Sequence, residues 1–230
     1  MDNKIATVIG ASGLIGSLLL EQLVNDKNYT SIQILTRRTI PVNHSKIKLI
    51  IVDFNDKKAV SKALEGTDAV FCAIGTTQKK VKGDMTAYKK VDLDLPITVA
   101  QIVSDLNIPK FMLVSSVGAN SKSNNFYLKI KGEVEAFTKQ LPIQQVGFFQ
   151  PSLLLGNRKE FRLGERIAQV VMPLFNFLMP DKYKAIEASD VAKAMLGFAI
   201  TDQQGHFTFQ YTQMKELSAM IAQSSFDTNG

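Results

Sequence analysis

The N-terminal sequence begins with an apolar strand that runs directly into a turn containing three glycines. The strand Lys4–Ile9 is followed by Gly10, Gly13 and Gly16, and an amphipathic segment begins at Ser17. In such a unit the first glycine permits the tight turn, the second lets the backbone approach a pyrophosphate, and the third lets the helix pack close to the strand. The helix directs N–H groups and the positive end of its dipole towards the anion. This feature predicts the phosphate-binding turn of a dinucleotide fold.

Strands and helices alternate through the first two thirds of the chain. Short apolar runs bounded by polar or glycine-containing turns are typical of buried strands. Strands are expected at residues 31–36, 46–52, 68–73, 110–114 and 144–149, and helices at 56–64, 86–106 and 125–140, with the second helix interrupted near Pro96. This rhythm predicts an α/β fold of the Rossmann type, a doubly wound parallel sheet with helices on both faces.

The last third of the chain is less regular. It contains a helical pattern at 188–200, a strand-like alternation at 206–211 and a final helical pattern at 217–222. The length of 230 residues suits one α/β domain. We predict a single domain (1–230) with three parts: a cofactor-binding core (1–150), a small irregular C-terminal substrate-side region (151–223) over the carboxyl ends of the strands, and a loose tail (224–230).

The chain contains one cysteine and two histidines. No internal disulfide can form, which favours a reducing compartment, and we predict a cytoplasmic protein. Cys72 lies in an apolar strand and is expected to be a buried thiol. Because cysteine and histidine residues do not cluster, no metal site is expected. The N-terminus enters a strand directly, so no signal peptide is expected either.

Charge and hydropathy narrow the range of partners. A net charge of +6 suits either nucleic acid or a phosphorylated cofactor. The lysines are scattered rather than gathered into one stripe, so no nucleic-acid partner is expected. No apolar run is long enough to span a bilayer, and no membrane partner is expected. The most hydrophobic late segment, Val170–Met179, contains Pro173 and is predicted to be a pocket wall, a lid or a subunit contact.

Two successive arginines, Arg37 and Arg38, follow the second strand. In a dinucleotide fold this position meets the adenosine ribose, where an acidic residue favours NAD and an arginine accommodates the 2′-phosphate of NADP. The guanidinium also binds phosphate through two parallel hydrogen bonds and stacks on adenine. We therefore predict NADP(H), the alternative being two exposed surface arginines. Asp53, at the end of the third strand, is expected either beside the adenine or as a cap of the following turn.

The segments that follow the fourth and fifth strands contain the residues that are predicted to contact the cofactor and to carry out the reaction. The turn Ile74-Gly75-Thr76 after the fourth strand lets backbone approach the cofactor, and Ser115 and Ser116 follow the fifth strand. Tyr127 and Lys131 are four residues apart and share one helical face. A nearby ammonium stabilises the phenolate and lowers the pKa of the tyrosine, which can then exchange a proton with a carbonyl or alcohol oxygen.

The catalytic serine and the tyrosine–lysine pair each have an alternative in the sequence. A serine hydroxyl can hold the same substrate oxygen. We assign that role to Ser116, with Ser115 as the alternative. The Tyr-x-x-x-Lys spacing occurs twice in the chain, and the second occurrence, Tyr211 and Lys215, is interpreted as a coincidence because it falls in the irregular C-terminal third.

At this point the chain resembles the short-chain dehydrogenase/reductase superfamily, and more narrowly its atypical branch that includes the Tat-interacting oxidoreductase-like protein. The resemblance covers most of the chain and rests on six stretches: the glycine turn, Leu35–Arg38, Ile74–Thr77, the pair Ser115-Ser116, Tyr127–Glu135 and Pro151–Leu155 continuing to Glu165. Two departures accompany it: Gln150 stands where many relatives have an arginine, and the interval from Ser116 to Tyr127 is short.

The resemblance implies an NADP-type cofactor and a set of contacts. The positions concerned are Ser12, Gly13, Leu14 and Ile15 at the phosphate turn, Arg37 and Arg38 at the 2′-phosphate, Ile74 and Gly75 beside the adenosine, Tyr127 and Lys131 at the nicotinamide ribose, and Leu154 and Arg162 after the sixth strand. Dimers that pack through helices are common in this superfamily, so a homodimer is also among the expectations from the resemblance.

These features predict an NADP(H)-dependent oxidoreductase that transfers hydride to or from a small carbonyl or alcohol substrate. Tyr127 would act as general acid in carbonyl reduction, and Lys131 would lower its pKa and bind ribose. The alternative is an NADP(H)-binding regulatory or interaction protein with little catalysis. The intact tyrosine–lysine pair argues against that alternative, because a sensor needs no proton donor.

Overall fold

The structure, a computed structural model, describes residues 3–77, 81–156 and 180–226. These residues form a seven-stranded sheet in which every neighbouring pair is parallel. Its strands are β1 (Lys4–Ile9), β2 (Tyr29–Thr36), β3 (Ile47–Ile51), β4 (Ala69–Cys72), β5 (Lys110–Val114), β6 (Gln145–Phe149) and β9 (Gly205–Phe209), in the order β3-β2-β1-β4-β5-β6-β9. Two short strands, β7 (Leu154–Leu155) and β8 (Ile186–Glu187), form a separate parallel pair.

Helices cover both faces of the sheet, as predicted. They are α1 (Leu14–Asn25), α2 (Lys57–Leu64), α3 (Met85–Lys89), α4 (Leu95–Asp105), α5 (Phe126–Thr138), α6 (Ala188–Ala199) and α7 (Tyr211–Phe226), with a single 3₁₀ turn at Asp181–Tyr183 among the described residues. One buried apolar cluster joins α1 and α6 to the sheet, and a second joins α2, α4 and α5 to its other face. Successive residues of β1 alternate between them: Val8 belongs to the first and Ile9 to the second.

The long helix expected at 86–106 contains a break that begins before its proline. Helix α3 continues into a widened π-helical turn, Lys90–Asp94, before α4 starts at Leu95. Pro96 has no N–H to donate to the carbonyl four residues earlier, that of Asp92, so the regular hydrogen-bond pattern fails there. The break therefore lies on the N-terminal side of Pro96, and the widened turn carries Asp92, whose side chain is 1% exposed.

The described residues of the C-terminal third, 180–226, are more regular than expected and form part of the main fold. Strand β9 pairs with β6 and extends the sheet, and α6 packs against α1. The strand ends at Phe209, and the last helix begins at Tyr211 and runs to Phe226, well beyond the predicted 217–222. Residues 224–226, assigned above to the tail, therefore continue a helix, while 227–230 lie outside the described residues.

In the described parts of the chain, none of the helices has the length and apolar character needed to cross a membrane. Among the same residues, no group of three or more histidine, cysteine, aspartate or glutamate side chains is arranged to hold a metal ion. The one cysteine, Cys72, is fully buried in β4, and burial raises the pKa of its thiol to about 11. The structure therefore confirms the prediction of a buried thiol.

Candidate functional site

The turn between β1 and α1 has no room for side chains at two of its glycines. Gly10 has a φ of +95°, and a Cβ there would lie 2.6 Å from the carbonyl oxygen of Ala73, at the end of β4. A Cβ on Gly16 would lie 2.2 Å from the carbonyl oxygen of Gly10. Because real Cβ atoms do not approach backbone this closely, glycine is required at both positions. The turn is thus closed against the neighbouring strand and against its own helix.

The N-terminus of α1 is the part of the turn that is predicted to bind phosphate. Gly13 is the residue that caps the helix, and it has no side chain to bond the first N–H groups; the first turn also contains no acidic residue. The exposed Ser12 precedes the cap, and Leu14 and Ile15 begin the helix. A helix N-terminus without its own carboxylate offers both N–H groups and positive dipole to a phosphate.

The two arginines predicted to meet the adenosine ribose lie at the end of the neighbouring strand β2. Arg37 and Arg38 follow β2 directly, and both side chains are exposed. Thr36 donates a hydrogen bond from Oγ1 to the carbonyl of Arg38, at 3.0 Å, which shapes the backbone there. Asp53 lies beyond β3 and accepts hydrogen bonds from the backbone N–H and side-chain amide of Asn55, at 3.0 and 2.8 Å. Asp53 therefore caps its turn, one of the two roles expected for it.

The turn after β4 is held by a residue from the widened helical turn. The backbone N–H of Thr76 donates a hydrogen bond to Oδ2 of Asp92, at 2.7 Å. A Cβ on Gly75 would lie 3.6 Å from Oδ1 of the same carboxylate. Ile74 packs against the second apolar cluster. Asp92 thus anchors Ile74–Thr76, the turn expected to border the cofactor.

Helix α5 presents Tyr127 and Lys131 on one face, as the spacing predicted. The ammonium of Lys131 lies 6.0 Å from the centre of the Tyr127 ring. Tyr127 is 39% exposed, whereas Lys131 is 5% exposed and forms an ion pair with Oδ1 of Asp92, at 3.1 Å. Burial opposes the charge of Lys131 and lowers its pKa, but Asp92 and then Tyr127 act more strongly together, and the pKa is raised above its ordinary value. Lys131 is therefore a cation beside an accessible phenol.

The two serines after β5 have different surroundings. Ser115 donates from its hydroxyl to Oε1 of Glu135, at 2.5 Å, and the amide of Gln150 donates to the same oxygen at 2.8 Å. The amide of Gln210 donates in turn to Oε1 of Gln150, at 3.0 Å. By contrast, the hydroxyl of Ser116 makes a single, long contact with the described residues, to the carbonyl of Val117 at 3.4 Å. Ser115 is thus committed to a buried polar chain, and Ser116 is not.

Sequence reasoning did not identify Asp92 or Glu135. Glu135 is four residues beyond Lys131, so helical spacing alone places it on the same face and was a usable signal. Asp92 left no such signal, because its approach to Lys131 depends on the widened turn. Gln150, which departs from the arginine of many relatives, has a structural role in this chain. Its side-chain amide donates to Glu135 and accepts from Gln210, so the hydrogen bonds of this buried polar chain are satisfied.

The predicted contacts after β6 are only partly described. Leu154 lies in β7, paired with Ile186 of β8. Two residues on, a Cβ on Gly156 would lie 3.5 Å from Cδ1 of Leu14, so this segment passes over the start of α1. Arg162 and the segment Val170–Met179 lie outside the described residues.

The second tyrosine–lysine spacing lies elsewhere, on α7. Lys215 forms an ion pair with Oδ2 of Asp190, at 2.8 Å, and Ser218 donates to the other oxygen of that carboxylate, also at 2.8 Å. Asp190 belongs to α6, so these contacts join the last two helices. The surroundings of Lys215 are those of a helix-packing residue.

Comparison with known proteins places this geometry in context. The sequence model of a family described as NAD(P)H-binding matches residues 10–140. The rat (Rattus norvegicus) protein HTATIP2 is 30% identical over 211 residues, which cover 89% of this chain and 85% of the relative. The mitochondrial protein FMP52 of Candida albicans is 33% identical over 198 residues, covering 84% and 86%. The Bordetella bronchiseptica enzyme WbmH, solved in complex with NAD+, has a TM-score of 0.69 at 14% identity, covering 97% of this chain and 82% of the other.

These relatives correct one prediction. A cytoplasmic localisation was expected from the single cysteine, but the FMP52 relatives from several fungi are named mitochondrial. The prediction is wrong because a lone thiol indicates only that disulfides are absent, and more than one compartment meets that condition. The resemblance stated from the motifs is confirmed by the family match and by HTATIP2, and the fold by WbmH.

Proposed function

The chain belongs to the NAD(P)H-binding family whose sequence model it matches, and from this premise we propose that it is an NADP(H)-dependent oxidoreductase of the atypical short-chain dehydrogenase/reductase type. Its substrate is a small carbonyl or alcohol compound. The observation that carries the proposal is the buried cation Lys131 beside the accessible phenol of Tyr127, on the helix that follows β5. A protein that only bound the cofactor would need no such pair.

The residues present fit a dinucleotide with a 2′-phosphate. The glycine turn leaves no space for side chains at Gly10 and Gly16, and the start of α1 carries no carboxylate of its own. Arg37 and Arg38 are exposed at the end of the neighbouring strand and supply positive charge for the extra phosphate. Ile74–Thr76, held by Asp92, would border the adenosine, and Tyr127 and Lys131 the nicotinamide ribose. When bound, the nicotinamide supplies or accepts the hydride.

The protein's own residues handle the proton. Tyr127 holds it at the phenolic oxygen and donates it to the carbonyl oxygen of the substrate during reduction. The ammonium of Lys131 stabilises the phenolate that remains, which lowers the cost of that donation. Ser116 is the better candidate to orient the substrate oxygen, because the hydroxyl of Ser115 is already donated to Glu135. Tyr127 is exposed enough for a substrate to reach it.

Cofactor preference is the first test of this proposal. Fluorescence titration of the purified protein is expected to give tighter binding of NADPH than of NADH. Replacement of both arginines, Arg37→Ala with Arg38→Ala, should weaken NADPH binding by about 10- to 100-fold, the value of a charge-assisted contact to phosphate, and leave NADH binding nearly unchanged. Lys48→Ala, which removes an exposed charge from the adjacent strand β3, is the control. Equal affinity of the wild type for the two cofactors would contradict the NADP assignment.

Catalysis is tested with a panel of small aldehydes and ketones and NADPH. Tyr127→Phe is expected to lower turnover by about 10²- to 10⁴-fold, the range for a lost general acid, and to lower cofactor affinity far less. Ser116→Ala should lower turnover, whereas Ser115→Ala should not. A Tyr127→Phe variant with wild-type turnover would contradict the assigned role. Cofactor binding with no turnover of any compound would favour the regulatory alternative.

A further inference from the structure

Asp92 is the point where the cofactor side of the site meets the catalytic side. One oxygen of its carboxylate accepts the hydrogen bond from the N–H of Thr76, and the other faces the ammonium of Lys131. The Asp92 side chain is 1% exposed and that of Lys131 is 6% exposed. Both contacts cross from one element to another: from the widened turn to the loop after β4, and from the same turn to helix α5.

A buried ammonium requires a counter-charge at this depth. The groups facing Lys131 are Asp92 from the widened turn, Tyr127 from its own helix and the thiol of Cys72 from β4. Burial raises the pKa of the Cys72 thiol to about 11, so this neighbour carries no charge near pH 7. Asp92 therefore supplies the negative charge that keeps Lys131 protonated where burial would otherwise favour the neutral amine.

We propose that Asp92 is a positioning residue that couples the turn Ile74–Thr76 to the catalytic lysine. Its carboxylate fixes the ammonium of Lys131 below Tyr127 and, through the Thr76 N–H, fixes the loop against which the cofactor lies. This inference rests on the proposed function for the identity of the ligand. The contacts of Asp92 with Thr76 and Lys131 do not depend on which ligand binds. The role of Asp92 and the proposed function can therefore be tested separately.

The widened helical turn explains why the bridge can form. In the turn Lys90–Asp94, Asp92 points inward and is buried, while Asp94, two residues later, is exposed. The turn therefore supplies two aspartates of the same chemistry in opposite surroundings. Single π-helical turns inside α-helices are frequent at functional sites. Asp94 is accordingly the matched control for any change at Asp92.

The test compares Asp92→Asn with Asp94→Asn. Protein labelled with ¹³C at the lysine ε-carbons is titrated by NMR, and the Lys131 signal is assigned by its loss in Lys131→Arg. In the wild type and in Asp94→Asn, the Lys131 midpoint is expected above pH 10.5, its ordinary value. In Asp92→Asn the midpoint should fall below that value, because burial then acts without the opposing carboxylate. A midpoint unchanged from the wild type overturns the proposal.

Cofactor binding supplies the second readout. NADPH titration of Asp92→Asn should show affinity reduced by about tenfold, as expected when a charge-assisted hydrogen bond to the loop becomes a neutral one, with Asp94→Asn unaffected. A shifted Lys131 midpoint in a protein that binds neither NADPH nor NADH supports the charge role of Asp92 and contradicts the proposed function. Normal cofactor binding with an unshifted midpoint supports the proposed function and overturns this inference.

If Asp92→Asn does not fold, a double variant provides the test. Removal of both partners, in Asp92→Asn with Lys131→Met, leaves no buried unpaired charge. This protein is expected to fold and to melt at a higher temperature than either single variant. A double variant that melts no higher than Asp92→Asn alone would show that the carboxylate does not act through Lys131, and it would overturn the proposal.

Discussion

The turn between β1 and α1 and the face of α5 are built in different ways. The turn is made of backbone: glycines bring it within contact of Ala73 and of itself, and no ionisable side chain takes part. The face of α5 is made of buried ionisable side chains, Lys131 and Glu135, whose partners come from distant parts of the chain. A backbone site needs only the right residues in a row, whereas a side-chain site needs the fold to deliver counter-groups.

This difference determines how each region responds to substitution. In the turn, an added Cβ atom lowers the stability of the protein because the backbone atoms that it would meet cannot move away. On α5, the harm comes from leaving a charge or a donor buried without its partner. Substitutions in each region test that distinction, with free energies of unfolding measured by urea denaturation.

The largest effect is expected on α5, from Lys131→Met. This change leaves the carboxylate of Asp92 buried and unpaired, and it should cost about 3–5 kcal/mol. The pKa of Lys131 is raised in the folded state, so the ion pair contributes fully below about pH 10.5 and its contribution is lost as the pH rises through the folded-state pKa. The gap to the wild type should therefore narrow above about pH 10.5. The exposed Lys129→Met is the control, expected within about 0.5 kcal/mol of the wild type.

In the glycine turn, Gly16→Ala should cost about 3 kcal/mol, the upper range for overpacking, because the new Cβ would meet the carbonyl of Gly10 at 2.2 Å. NADPH binding should be lost with it, since the turn must open to accept the methyl group. Ser17→Ala, at the next and exposed position, is expected within about 0.5 kcal/mol. A Gly16→Ala protein of wild-type stability would show that the turn is not closed as described.

Helix α5 also contains one backbone contact, which sharpens the comparison. A Cβ on Gly132 would lie 2.2 Å from backbone atoms of Asn120 and Ser121. Gly132→Ala should cost about 2 kcal/mol, since overpacking of about 3 kcal/mol is offset by about 1 kcal/mol of helix propensity. The control is Glu133→Ala, beside it. A stabilised Gly132→Ala protein would mean that helix propensity, not the close loop, dominates at this position.

The smallest effect is expected from Glu135→Gln. Glu135 is buried like Lys131, but its strong partners are the neutral Ser115 and Gln150, and the Lys139 ammonium is 3.7 Å away on a half-exposed side chain. Gln keeps an acceptor oxygen and relieves the burial of a charge, so the cost should stay below about 1 kcal/mol. If Glu135→Gln lowered the free energy of unfolding as much as Lys131→Met does, the stability of α5 would depend on the presence of a buried charge and not on whether that charge is paired.

The sheet and its order of elements were predictable because each strand and helix is encoded locally. Apolar runs with period two or 3.6 identify buried elements, and capping residues such as asparagine and glycine mark where the helices begin and end. Asn125, for example, caps α5 by accepting from the N–H of Leu128. The last helix was predicted too short, because its start, Thr212 to Glu216, contains a single apolar residue, Met214, and so gives little apolar periodicity. Its packing against α6 through Asp190 and Lys215 is a tertiary contact.

The sequence by itself determined the glycine turn, the face shared by Tyr127 and Lys131 and the arginines after β2, because each depends on residues close together in the chain. Only the tertiary structure decided which serine is held by Glu135 and which carboxylate meets Lys131. The contact between Asp92 and Lys131 joins residues far apart in sequence and requires a helical turn widened ahead of Pro96. Local propensity carries no information on such a contact, because its energy exists only once the elements have packed.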